Sequence, residues 1–139
     1  MDKALLDTDI FSHVLKAKDP AVIRHAAAYQ EEFGAFTVSA VTVMEIVKGF
    51  QRVQRDDAID RFLRGVAGIH VIPFDTDTAT FAGRIYGDLE RTGQPIGRAD
   101  PMIAATAIRH DLTLATRNTT HFRRIQTLGY PLGLVDWRD

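Results

Sequence analysis

The sequence predicts an α/β fold in which a parallel sheet of about four to five short strands is covered by helices on both faces. Two observations carry this. Short apolar or β-branched runs alternate along the chain with longer stretches of helical periodicity, and parallel neighbours need such crossover connections. Cap and turn residues stand at most junctions between the two patterns, so the elements carry start or stop signals. A chain of 139 residues without a repeat, linker or low-complexity tract is expected to form a single domain over 1–139.

Ala4, Leu5 and Leu6 form a short apolar run that ends in Asp7 and reads as the first strand. Thr8-Asp9 then supplies a cap pattern, and Ile10, Phe11, Val14 and Leu15 recur at helical spacing. Asp19-Pro20 opens the next helix, with Asp19 as N-cap and Pro20 at the first helical position; it runs to about residue 33, and Gly34 stops it. Phe36-Thr37-Val38-Ser39 is the second strand, followed by a helix over about 41–53 with Val43, Ile46, Val47 and Phe50 on one face. A further helix covers about 56–66, and residues 70–74 make the third strand. Asp75-Thr76-Asp77 caps a helix that lasts to about residue 91, and residues 92–97 are the clearest loop in the chain. Asp100-Pro101 starts another helix to about residue 110, residues 112–116 make the fourth strand, and Asn118 caps a short helix through 125. Residues 132–135 close as a fifth strand, and Trp137 beyond them reads as a packing anchor for the C-terminus.

A hydrophobic share of 45% and a charged share of 25% exclude the disordered, fibrous and membrane classes. With no cysteine, neither a disulfide framework nor a thiolate zinc site exists, and the histidines at 13, 25, 70, 110 and 121 lack zinc-site spacing. Any metal must therefore be held by oxygen or imidazole nitrogen. The first residues lack the apolar run of a signal peptide, and no segment is apolar enough to span a bilayer, so the expectation is a cytoplasmic protein. A net charge of −1 gives no global attraction to nucleic acid. Binding to RNA would have to use local basic residues, drawn from Lys48, Arg52, Arg55, Arg61, Arg64, Arg98, Arg117, Arg123 and Arg124.

In open parallel sheets, ligands bind beyond the carboxyl ends of the strands. Asp7 ends the first strand, Thr116 and Asn118 follow the fourth, Glu45 lies about a turn into the helix after the second, and Asp100 starts the helix before the fourth. Each has an ordinary structural explanation as well. Asp7 or Asp9 would serve as a helix cap, and Asp100 before Pro101 would do the same. Yet Asp100 shares a face with Ile103, Ala104 and Ala107, and a carboxylate on a buried stripe asks for a cation or a set of hydrogen bonds. Glu45 lies opposite the apolar face of its helix, where an exposed pair with Lys48 explains it adequately; a residue facing a wet cleft shows the same pattern. Carboxylates meeting in one cleft repel each other unless a divalent ion neutralises them. An all-oxygen cluster suits Mg²⁺ or Mn²⁺, which with phosphate substrates supports phosphodiester hydrolysis.

Four segments together resemble the PIN-domain family, and within it the VapC toxins: residues 5–9 (Leu-Leu-Asp-Thr-Asp), 43–46 (Val-Met-Glu-Ile), 100–107 (Asp-Pro-Met-Ile-Ala-Ala-Thr-Ala) and 116–122 (Thr-Arg-Asn-Thr-Thr-His-Phe). They occur in family order and span nearly the whole chain. The resemblance implies an α/β/α sandwich with an acidic site for Mg²⁺ or Mn²⁺ formed by Asp7, Glu45 and Asp100, with Asp7 and Asp100 as direct ligands and Glu45 bound directly or through water. Asn118 matches a fourth catalytic position that is acidic in some members, which puts a tightly held second metal in question. Asp9 and Thr116 would be supporting residues, and His121 receives no role. The resemblance further implies an endoribonuclease acting on tRNA or ribosomal RNA as the toxin of a toxin–antitoxin pair, homodimers, and a VapB-like antitoxin that blocks the cleft. Two alternatives stand beside it. Asp7-Thr8-Asp9 after an apolar strand also resembles the nucleophile and acid pair of haloacid-dehalogenase-like phosphatases, and a PIN-like scaffold could bind RNA or protein without cutting.

Overall fold

The computed structural model describes residues 1–138; Asp139, part of the domain expected over 1–139, lies outside the described residues. Five strands, β1 (Ala4–Leu6), β2 (Thr37–Ser39), β3 (His70–Ile72), β4 (Thr113–Ala115) and β5 (Leu134–Val135), form one sheet in the order β3-β2-β1-β4-β5, with every neighbouring pair parallel. Helices make the connections. α1 (Thr8–Lys16) and α2 (Pro20–Phe33) follow β1; α3 (Ala40–Arg52) and α4 (Asp56–Gly65), with a short 3-10 turn, follow β2. α5 (Thr76–Arg91) and α6 (Ala99–Arg109) follow β3, and α7 (Thr119–Thr127) follows β4.

The central strand shows why the molecule has three layers. Successive side chains of a strand point to opposite faces. Leu5 packs with Leu114, Ile85, Leu89 and Ile103 on one side, while Ala4 and Leu6 pack with Ile10, Phe11, Val22 and Tyr29 on the other. Burial on both faces is what makes Ala4-Leu5-Leu6 a continuous apolar run rather than an alternating one. Helices α5, α6 and α7 cover the Leu5 face and α1, α2 and α4 the other, giving the expected α/β/α sandwich.

Element ends depart from the sequence reading in ways that bear on the site. β3 stops at Ile72 because Pro73 has no N–H to give the ladder. The Asp7 N–H still bonds the Ala115 carbonyl at 3.0 Å, but its side chain has already turned to cap α1, accepting from the Ile10 N–H at 2.8 Å. α6 begins at Ala99 after Arg98, so Asp100 is not its N-cap; no side chain caps this helix, and Pro101 falls where a missing N–H is harmless. Asn118 does precede α7, but its side chain makes no cap hydrogen bond either. Both polar groups are thereby released for other work.

Tyr29 ties α2 to the start of the central strand. Its hydroxyl accepts from the Ala4 N–H and donates to the Ala4 carbonyl, each at 3.1 Å, within the core. Trp137, 1% exposed, stacks near His25 and leans on Tyr29, so the C-terminus is anchored as its sequence position suggests. Tyr29→Phe leaves the buried Ala4 N–H without its partner and is expected to lower unfolding free energy by about 1–3 kcal/mol in urea titrations. A loss below about 0.5 kcal/mol would mean that this N–H finds another partner.

Candidate active site

Between β1 and β4 the strand order reverses, and the crevice beyond the carboxyl ends of the strands there is the favoured ligand position in an open parallel sheet. An open cleft of about 660 Å³ lies at this place, lined by Asp7, Thr8, Asp9, Ser12, Lys16, Glu45, Asp100, Arg117, Asn118, Phe122 and Arg138. All four candidate residues from the sequence, Asp7, Glu45, Asp100 and Asn118, are on its walls. They arrive from the end of β1, the second turn of α3, the first turn of α6 and the loop after β4.

Asp7 is 5% exposed, and burial pushes its carboxyl up from 3.8 to about 6. Hydrogen bonds from the Thr116 hydroxyl and the Ile10 N–H pull the other way, and the charges of Asp9 and Asp100 push it further up. Asp100 is likewise raised to about 6, first by burial and then by the charge of Glu45. Two acids destabilised as anions in one cleft mark a place built for a positive partner.

Glu45 decides between its two readings. Among the described residues no ion pair joins it to Lys48; its Oε1 instead accepts from the Thr8 hydroxyl at 2.5 Å, and Thr8 in turn is 3.0 Å from the Thr42 hydroxyl. Asp100 Oδ2 stands 2.9 Å from His121 Nδ1, which is also 2.9 Å from Asn118 Nδ2. Burial, with the charge of Arg124, lowers the His121 pKa.

Among the described residues no three His, Asp or Glu side chains stand close enough to hold a metal ion. Asp7, Glu45 and Asp100, expected around one ion, thus share a cleft without forming a preformed cage. Glu45 is engaged by Thr8 and Asp100 by His121, so the three carboxylates point to different partners within the one cleft. The donor chemistry still fits a hard divalent ion. Three carboxylates and an amide carbonyl offer only oxygen, which suits Mg²⁺ or Mn²⁺ and not zinc.

The structure adds residues the sequence reading left without a role. Thr8 orients Glu45, and its position directly after Asp7 was the available signal. His121 sits one helical turn beyond Asn118 and meets Asp100, a contact that no local pattern reveals. Asp9, read as a supporting residue, is bound by Arg117, whose Nε donates to Asp9 Oδ2 at 2.7 Å.

The PIN domain family matches residues 4–128. A tRNA(fMet)-specific endonuclease VapC of Shigella flexneri is 35% identical over 126 residues, covering 90% of this chain and 93% of that one. A VapC ribonuclease of Sinorhizobium fredii is 37% identical, covering 85% of this chain and 89% of the relative. Among solved structures, the DNA-bound VapBC of Salmonella typhimurium superposes with a TM-score of 0.79 at 28% identity, over 99% of both chains. The chain belongs to the PIN-domain family. Within it, sequence and fold place it with the VapC ribonucleases, and the phosphatase alternative falls, its supposed acid Asp9 being held by an arginine.

Proposed function

We propose that the chain is a Mg²⁺- or Mn²⁺-dependent endoribonuclease that cuts structured RNA, tRNA foremost, as the toxin of a toxin–antitoxin pair. The observation that carries this is one cleft at the sheet's switch point lined by Asp7, Glu45 and Asp100, two of them raised to about 6. Asp7 and Asp100 would hold the ion, with Glu45 completing the set. Such an ion, when bound, supplies an activated water and neutralises charge that develops on the phosphate. Glu45, steadied by Thr8, orients the attacking water, and the Asn118 amide offers a neutral donor to a phosphate oxygen. A neutral Asn118 favours one tightly held ion over two.

A second groove supports a protein inhibitor. Leu15, Ile46, Phe50 and Val53 line an apolar channel between α1 and α3 that shares Thr8, Ser12, Lys16 and Glu45 with the cleft. Leu15 and Val53 are 51% and 60% exposed, which suits an apolar partner segment ending over the acids. We assign this partner as a VapB-like antitoxin, in keeping with the VapBC complexes of the structural relatives. Homodimer formation and action in the cytoplasm, where RNA is found, belong to the same proposal. Among the described residues no helix is long and apolar enough to cross a membrane.

Purified protein is expected to cleave bulk tRNA with Mg²⁺ or Mn²⁺ and to stop when EDTA is added, read by RNA-end mapping. Cleavage that persists in EDTA would remove the mechanism. Binding without cleavage under every metal condition would return the chain to a non-catalytic RNA-binding role.

A further inference from the structure

The cleft holds cations as well as acids, and one of them is fixed in an unusual way. Arg117 follows Thr116, whose N–H pairs with the Val135 carbonyl at 2.9 Å, so its backbone leaves the sheet in a set direction. Its own carbonyl accepts from Arg138 at 3.0 Å. Its guanidinium is held by Asp9, 108 residues away in the chain, through Nε alone. A guanidinium has five N–H donors, and the terminal amino groups of Arg117 make no hydrogen bond among the described residues although the residue lines the cleft.

As a stabilising device this pair is weak. The Asp9 side chain is 48% exposed and that of Arg117 31%, and exposed pairs of this kind contribute about 0–1 kcal/mol. As a positioning device it is effective, because fixing Nε sets the plane of the guanidinium and leaves its outer edge for another acceptor. Asp9 is itself flanked on its other oxygen by His13, 3.7 Å away. A polyanion entering a cleft walled by Asp7, Glu45 and Asp100 needs a fixed positive group to set its path, and a planar fork suits a phosphate's paired oxygens.

We propose that Arg117 binds a backbone phosphate of the RNA strand in the cleft and that Asp9 is the positioning residue that aims it. This rests on the ribonuclease reading above, and two measurements keep the failures apart. Bulk tRNA is the probe. Its binding is followed across salt concentrations with Ca²⁺ replacing Mg²⁺, and its cleavage is followed with Mg²⁺. Arg117→Gln is expected to flatten the salt dependence of log K by about 0.7–0.9, one phosphate contact. The same variant is expected to lower kcat/KM on the order of 10- to 100-fold. Arg117→Lys keeps the charge and hence the slope, but recovers only part of kcat/KM because an ammonium lacks the fork. Asp9→Asn is expected to keep the slope while kcat/KM falls roughly 3- to 10-fold, the mark of a loosened but still charged arginine.

Wild-type slope and kcat/KM in Arg117→Gln would overturn the proposal, and so would slopes flattened equally in Arg117→Gln and Asp9→Asn, which would mark a structural tie. If Arg117→Gln does not fold, full kcat/KM in both Arg117→Lys and Asp9→Asn overturns it. A wild-type protein that cleaves no RNA ends the ribonuclease reading instead, while the salt slopes still report on the Arg117 contact.

Discussion

Asp100→Asn and Asp7→Asn are each expected to reduce magnesium-dependent RNA cleavage by on the order of 10³-fold or more while making the metal-free protein harder to unfold. The two effects share a cause. Both carboxyls are raised to about 6, Asp7 by burial and then the charges of Asp9 and Asp100, Asp100 by burial and then the charge of Glu45. At neutral pH each therefore weakens the empty fold by roughly 3 kcal/mol, at 1.36 kcal/mol per pH unit between the folded value and the ordinary one. Asparagine removes the charge and keeps its shape. At position 7 it also keeps an oxygen for the Ile10 N–H, so the α1 cap survives. Kinetics on bulk tRNA and urea titrations of the same preparations check both halves. A variant that loses cleavage and stability together would point to a folding defect and not to a missing ligand.

The second large effect is on pH. A carboxyl whose folded pKa lies above its unfolded one leaves the folded state holding more protons between the two values, so stability falls as pH rises through that interval. For Asp7 and Asp100 the interval runs from 3.8 to about 6. Their penalty is absent below pH 4 and complete above pH 6. Groups lowered in the folded state, such as Asp75 beside the Thr78 N–H and Asp136 beside Arg138, lose their contribution only below the ordinary carboxylate range. His121, lowered by burial and Arg124, acts in the opposite sense just below its ordinary value. The clean readout is thus the difference between wild type and the Asp7→Asn/Asp100→Asn double variant. In EDTA that difference is expected to grow by several kcal/mol from pH 4 to pH 7, and saturating Mn²⁺ should shrink it. A difference that stays flat would mean the two carboxyls are not strained as anions.

Much of the fold is legible because its signals are local. Ala4-Leu5-Leu6 announces a strand buried on both faces, Asp19-Pro20 caps its helix as read, and Asp75 accepts from the Thr78 N–H as a cap should. The site is legible only in part. Asp7 and Asp100 stand out because a carboxylate at a strand end or on a buried stripe needs a reason. Glu45 does not, since an exposed helix face and the wall of a wet cleft give the same periodicity, and only its contact with Thr8 across 37 residues separates them. The Asp100–His121 and Asp9–Arg117 contacts join residues whose neighbourhood exists only after the sheet has formed. Asn118 stands at the N-cap of α7 as read, though its side chain faces the cleft and makes no cap bond, while Asp100 lies inside the first turn of α6 and so is not the cap its local pattern also allowed.

A calorimetric titration of the metal-free protein with Mn²⁺ tests the carboxylate cleft most directly. One site is expected in the wild type, weakened at least tenfold by each of Asp7→Asn, Asp100→Asn and Glu45→Gln, with little further loss when two are combined. Undiminished Mn²⁺ binding in all three variants would contradict the assignment of these acids to a common ion.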